Sequence, residues 1–150
     1  MYLAEFSVRP ATRDDFPVIR SLINTVQINP TGLEWRRFLV VVTSQGNLLG
    51  CGQIKPHADR SHEIASIAVQ EQARGQGVAR AVIEALLKLE VERALYLMCR
   101  ARLKSLYIKF EFHAIRLVEM PPYFQRIGRI ERVFNSMAQP DDRLLVMRLD

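Results

Sequence analysis

Two glycines set between an apolar run and a helical stripe are the residues most suited to chemistry in this sequence. Ile64-Ala65-Ser66-Ile67-Ala68-Val69 leads through Gln70-Glu71 into Gln72-Ala73-Arg74-Gly75-Gln76-Gly77-Val78-Ala79. Gly75 and Gly77 let a bare backbone approach a ligand. The first amides of a helix have no internal partner, and with the helix dipole they form a site for an anion such as a pyrophosphate. The segment is neither a GxxxxGK[ST] loop nor a GxGxxG fingerprint. From the glycines alone, a tight strand-to-helix turn accounts for the pattern equally well. The remaining reactive types point elsewhere. His57, His62, His113, Cys51 and Cys99 lack zinc-ligand spacing, so no metal site is expected. Both cysteines fall in apolar strands, where the thiolate is disfavoured.

The elements that must position this corner follow from periodicity. Ser7–Pro10 is an opening strand, and Thr12 ahead of Asp14 and Asp15 starts a helix carrying Phe16, Ile19, Ile23 and Val26. Asn29-Pro30-Thr31-Gly32 ends it, and Leu33–Arg37 is a short second helix. Phe38–Thr43 and Leu48–Lys55 form a hairpin around Gln45-Gly46-Asn47. Glu63–Val69, apolar on both faces, is a central strand. Val78, Val82, Ala85, Leu86 and Leu89 make a helix, Leu95–Cys99 a strand, and Leu103, Leu106, Tyr107 and Phe110 a further helix. Phe112–Val118 is strand-like, Pro121-Pro122 opens a helix through Phe134, and Arg143–Leu149 closes the chain as a strand. With no linker, residues 1–150 are expected to form one α/β domain, a mixed and mostly antiparallel sheet of six to seven strands with helices on both faces.

Composition narrows the partners. The net charge of +5 rests on 17 Arg and 4 Lys spread along the whole chain. The longest basic clusters are pairs such as Arg36-Arg37, which speaks against a nucleic-acid patch and for a solvating shell. Two cysteines make no disulfide framework and suit a reducing compartment. Met1–Pro10 lacks a leader's apolar stretch, and Phe38–Val42 is too short to span a bilayer. A cytoplasmic protein without membrane contact is expected.

Gln72-Ala73-Arg74-Gly75-Gln76-Gly77 resembles the Q/R-x-x-G-x-G/A signature of the GNAT (Gcn5-related) N-acetyltransferases. Leu106-Tyr107-Ile108-Lys109-Phe110-Glu111-Phe112, about thirty residues on, resembles that family's LYxKxGF segment. The order of elements is also similar, over nearly the whole chain. The resemblance implies the GNAT fold and acetyl-CoA as acetyl donor to a primary amine. It implies cofactor contacts from Ile67, Ala68 and Val69, from Gln72, Arg74, Gly75, Gln76, Gly77, Val78 and Ala79, and from Arg100 and Tyr107. The cofactor would lie where the Glu63–Val69 strand parts from the Leu95–Cys99 strand. Tyr107 takes the place from which family members protonate the departing thiolate, with core packing as its alternative.

An alkyl amine has a pKa near 10.4, so a base is useful at neutral pH. Glu63 is the first candidate, against the alternative of a solvated strand-end carboxylate; His57 and His62 flank the same loop, where a histidine ring is ordinarily solvated. Two departures stand out. Glu111 replaces a glycine that ends a helix with positive φ, which implies a strained exit. Arg100 replaces a cofactor-contacting Asn, and either meets a phosphate or is simply exposed. These departures keep open a non-catalytic CoA-binding sensor. The segments 28–38 and 120–134, with Trp35, Tyr123 and Phe124, are expected to shape the acceptor pocket, to pack in the core or to pair two copies. The acceptor, small molecule or protein, is not identified by the sequence.

Overall fold

The computed structural model describes residues 5–150. Residues 1–4, part of the segment judged not to be a leader, lie outside the described residues. Among the described residues, seven strands are hydrogen-bonded in the order β1-β2-β3-β4-β5-β7-β6: β1 Phe6–Pro10, β2 Phe38–Thr43, β3 Leu48–Pro56, β4 His62–Val69, β5 Leu95–Arg100, β6 His113–Ala114 and β7 Leu144–Leu149. The α-helices among the described residues are α1 Phe16–Thr25, α2 Val78–Leu89, α3 Lys104–Ile108 and α4 Pro122–Met137. Only β4 with β5 is parallel among the registered pairs, so the sheet is mixed and mostly antiparallel, as expected. The chain divides into two compact units, residues 1–55 with 64–91, and residues 56–63 with 92–150.

In the first unit, β1 pairs with β2 (Val8 with Val41) and β2 with β3 (Val40 with Cys51). Alternation along these strands sorts side chains to two faces. Phe38, Val40, Val42 and Cys51 pack with Ile19, Leu22 and Ile23 of α1. The other face of β3 carries Gly50 and Gly52. A Cβ at Gly50 would lie 2.6 Å from Val78 Cγ1, and one at Gly52 would lie 3.1 Å from Leu86 Cδ1. Their lack of side chains lets α2 settle directly on the strand, opposite α1. Thr12 starts the helical stretch as predicted: its N–H donates to Asp15 Oδ2 at 2.7 Å, and Asp15 N–H returns to Thr12 O at 3.0 Å. The expected helix at Leu33–Arg37 is a single 3-10 turn, Trp35–Arg37.

In the second unit, β5 pairs with β7 from Leu95 with Leu149 to Arg100 with Leu144, and the first two residues of β4 run parallel to β5 (His62 with Leu95, Glu63 with Tyr96). The strand expected over Phe112–Val118 is only His113–Ala114. Phe112 is taken up in ending α3, and a 3-10 turn at Leu117–Glu119 bends the chain away. Arg116 N–H donates to Glu119 Oε1 at 3.1 Å, and Glu119 N–H to Arg116 O at 2.9 Å. The helix expected from Leu103 to Phe110 is likewise split, a 3-10 turn at Ala101–Leu103 followed by α3.

Candidate functional site

The first unit holds the glycine corner. β4 contains Ser66 at φ +59°, a left-handed residue that interrupts the regular pleat just before Ile67, Ala68 and Val69. After a 3-10 turn at Glu71–Ala73, Gly75 and Gly77 adopt φ of +77° and +84°. A Cβ at either would meet nothing within 4 Å. Glycine is therefore required here by backbone conformation and not by packing.

Gly77 is the N-cap of α2, and no side-chain oxygen caps that helix. The first helical bond runs from Ala81 N–H to Gly77 O at 3.0 Å. Helix geometry leaves the N–H groups of Val78, Ala79 and Arg80 without intrahelical acceptors. Arg74 N–H, by contrast, donates to Glu71 O at 3.2 Å, so this residue offers its exposed guanidinium and not its amide. Gln72 is exposed and Gln76 half-buried, with Gln76 Nε2 donating to Gln72 O at 3.3 Å. The corner can receive an anion through main-chain donors and the helix dipole. Cys51 is buried nearby, and burial pushes its thiol up to about 12, which removes it as a nucleophile at neutral pH.

The second unit holds an acid–base cluster. The sequence alone offers Glu63 as the first candidate base, with a solvated strand-end carboxylate as the alternative, and His57 as a loop histidine whose ring is ordinarily solvated. The fold buries Glu63 and leaves His57 half-buried. Glu63 is 4% exposed, and its Oε1 lies 2.8 Å from His57 Nε2. The imidazole stacks on Tyr123 with ring centroids 3.6 Å apart and meets the edge of Phe124 at 5.7 Å. Burial raises the Tyr123 phenol pKa, and the Glu63 charge adds to the rise.

Asp59 ties the loop to α4. It accepts Tyr123 N–H at 2.9 Å and Ser61 N–H at 2.9 Å, as well as the Ser61 hydroxyl. Burial pushes its carboxyl upward, but the hydrogen bonds from Ser61 and Tyr123 and the nearby His57 outweigh this, and the pKa ends below the ordinary value. The hairpin loop itself carries a signal for the pairing: His57 N–H donates to Ser61 O at 2.9 Å, which turns residue 57 back toward residue 63. The stacking partner, sixty-six residues away in sequence, has none. His62 is half-buried beside this cluster, whereas His113 is exposed, with Nε2 3.8 Å from Asp150.

Tyr107 lies on α3 in the same unit, 6% exposed. Burial raises its phenol pKa, with Cys99 contributing, so the hydroxyl stays protonated at neutral pH. Its helix closes through a Schellman turn. Phe112 N–H donates to Tyr107 O at 3.2 Å and Glu111 N–H to Ile108 O at 2.9 Å, while the two aromatic rings meet edge to face at 6.3 Å. Glu111 holds φ +72° at this exit, the strained geometry expected where glycine is missing. Arg100 is half-buried; its Nη1 donates to Asp142 O at 2.9 Å and its guanidinium lies 5.2 Å from the Phe134 ring centroid. Among the described residues, no group of three or more His, Cys, Asp or Glu is placed to hold a metal, and no helix is long and apolar enough to cross a membrane.

None of the curated proteins matches the sequence. Among solved structures, N-acetylglutamate synthase from Neisseria gonorrhoeae, complexed with coenzyme A and N-acetyl-glutamate, superposes with a TM-score of 0.75 at 22% identity over 98% of this chain. The match covers 36% of that synthase, so this chain spans about a third of its length. Rv2747 from Mycobacterium tuberculosis, in complex with CoA, gives 0.72 at 21% identity over 95% of this chain and 98% of its own. Ard1 from Thermoplasma volcanium gives 0.66 at 16% identity, with 96% of each chain covered. At these identities the likeness is one of fold. The family described as Acetyltransferase (GNAT) domain matches residues 34–114, more than half of the chain and inclusive of both glycines, Glu63 and Tyr107. The chain therefore belongs to the GNAT acetyltransferase family.

Proposed function

We propose that this chain is an N-acetyltransferase that moves the acetyl group of acetyl-CoA onto a primary amine of a small molecule or protein, by direct attack in a ternary complex. The observation that carries the proposal is the uncapped start of α2, where two glycines in left-handed conformation hold main-chain donors outward. Coenzyme A in the gonococcal and mycobacterial neighbours supports a diphosphate as the anion. Amides of Gly75 to Ala79 and the guanidinium of Arg74 would hold it, with Gln72 and Gln76 alongside. The main chain of Ile67, Ala68 and Val69 would pair with the pantetheine arm, and a fixed amide there would stabilise charge growing on the thioester oxygen. A phosphate role for Arg100 would require it to leave Asp142 and Phe134.

Glu63, braced by His57, takes a proton from the acceptor ammonium, which frees the nitrogen lone pair. The C–N bond forms and the C–S bond breaks, and the second proton lost by the nitrogen passes to the departing sulfur, so that CoA leaves as the thiol. Tyr107 arrives protonated and supplies a hydrogen bond to the leaving sulfur. A phenol above the thiol in pKa does not give up its proton fully to a thiolate, so its part is to stabilise developing charge. Free, buried Cys51 and Cys99 support a reducing, cytoplasmic setting.

Thiol release from acetyl-CoA, measured across a panel of amines, tests the proposal. Release that depends on an added amine is expected. Tight CoA binding with no release for any amine would leave only a sensor, and absence of CoA binding would remove the site itself.

A further inference from the structure

Beneath α4, within the second unit, lies a cavity of about 240 Å³. The helix turns Phe124, Ile127, Gly128, Glu131 and Asn135 toward it and its surroundings, at helical spacing. Gly128 brings the helix close: a Cβ there would lie 2.9 Å from Leu117 Cδ1 and 3.3 Å from Met120 Sδ. Met98, Ile115, Leu117, Met120 and Ile127 give the walls an apolar character. Asn135 is anchored to the Leu144 main chain, donating at 3.0 Å and accepting at 2.9 Å.

Glu131 breaks the apolar pattern. Its Oε2 is buried and has no hydrogen-bond partner in the protein. Leaving such an oxygen without a donor is costly, and buried polar groups in native proteins rarely stay unpaired without a reason. Burial raises its carboxyl pKa, and Arg100 only partly opposes the rise. Arg100 itself is directed to Asp142 O and the Phe134 ring, and Arg132 stands exposed at the rim.

We propose that this cavity is a binding site for a compact apolar amine, whose hydrocarbon or aromatic body fills the space among Met98, Leu117, Met120 and Ile127 and whose ammonium donates to Glu131. The volume is below the roughly 300–1,000 Å³ of sites for drug-sized ligands, which favours a small body with one polar end. An ammonium supplies both the missing donor and the opposite charge, and charge-assisted bonds of this kind are the strong ones. A carboxylate ligand would meet the Glu131 carboxylate with like charge, which favours the amine. The site does not depend on acetyl transfer or on CoA, so its fate is separate from that of the proposed activity.

The cavity methionines provide the readout. In the full chain labelled with ¹³C-methyl methionine, 2-phenylethylamine without CoA is expected to shift Met98 and Met120 saturably. Met137, 86% exposed, and Met147, fully buried, are not among the lining residues and stay in place. The isosteric alcohol 2-phenylethanol is expected to bind about tenfold more weakly, the factor that about 1.4 kcal/mol represents. Glu131→Gln, which keeps the shape and removes the charge, is expected to bring the amine down to the alcohol's affinity at an unchanged melting temperature. Unsaturable shifts, equal binding of amine and alcohol to the natural chain, or undiminished amine binding by the variant would each overturn the proposal. The amine–alcohol comparison decides the matter even if the variant folds poorly.

Discussion

The glycine corner of the first unit and the His57–Glu63–Tyr123 cluster of the second are built on opposite terms. The corner is exposed, made of main chain, and indifferent to side-chain neighbours: a Cβ on Gly75 or Gly77 touches nothing. The cluster has Glu63 buried and His57 and Tyr123 half-buried, is made of side chains, and depends on each neighbour, from the 2.8 Å His57–Glu63 contact to the 3.6 Å ring stack. A backbone site needs only a fold that presents amides in the right place. A buried acid–base pair needs several elements to agree on its partners. The two should therefore fail differently when altered, and each failure bears on one step of the proposed reaction.

The largest effect is expected at the cluster. Glu63→Gln keeps an oxygen to face His57 but cannot take up a proton. Turnover should fall by about 10²–10⁴, the contribution of a positioned base, and the remaining rate should climb with pH as free amine forms. Steady-state rates across a pH series at saturating acetyl-CoA check this; a rate equal to that of the natural chain removes Glu63 as base. At the corner, Gly77→Val should instead weaken cofactor binding by tenfold or more with the chemistry intact. Gly77→Ala separates the causes. Both variants carry a left-handed cost, roughly 1–2 kcal/mol for Ala and more for β-branched Val, so only a loss of CoA affinity in the Val variant beyond its loss of stability measures crowding at the diphosphate. Calorimetric titration with CoA showing no loss in either would move the anion elsewhere.

Tyr107→Phe is the sharper, smaller probe. With the ring and its edge contact to Phe112 retained, turnover should drop about tenfold, near the upper range of a hydrogen bond's worth, while CoA affinity holds. Affinity falling in step with turnover would make Tyr107 a packing residue.

The contrast also explains what could be foreseen. Gly75 and Gly77 announce themselves because a positive φ and a bare backbone restrict residue choice at that very position. Elements of the first unit were legible for a similar reason: β2 and the extent of α2 coincide with their expected limits, since apolar periodicity is a local property. The shielding of the His57 ring was not legible. It depends on Tyr123, brought over by α4, whose first turn is held by Asp59. No local pattern near His57 encodes that contact. The β6 strand fails for a related cause: Phe112 carries a strand-like sequence but is claimed by the α3 exit.

Asp59 allows the cluster to be loosened without touching its proton-carrying groups. Asp59→Asn should cost about 1–1.5 kcal/mol, through weaker acceptance of the Tyr123 and Ser61 donors. Because the folded carboxyl pKa is lowered, the natural chain's advantage is fully present above the ordinary aspartate value near 3.9 and is lost as pH falls through the folded pKa. Melting curves of both chains at neutral pH and near pH 3 should show the gap closing. A constant gap would assign the effect to packing.

The smallest effect belongs to Glu111, and it has the opposite sign. A non-glycine residue at φ +72° carries about 1–2 kcal/mol of local strain, and the turn around it is otherwise well made, with both Schellman bonds and the Tyr107–Phe112 contact in place. Glu111→Gly should relieve that strain while giving back about 0.5–1 kcal/mol in extra chain entropy of the unfolded state. A net gain of about 0.5–1 kcal/mol is expected, visible as a higher denaturation midpoint with an unchanged slope. The Tyr107 side chain should stay where it is, so turnover should not change. A loss of stability would mean that the glutamate side chain makes a compensating contact in solution. A gain in turnover would mean that the strained exit displaces Tyr107 from the thiolate, and the proposed acid–base arrangement would have to be redrawn around a relaxed α3.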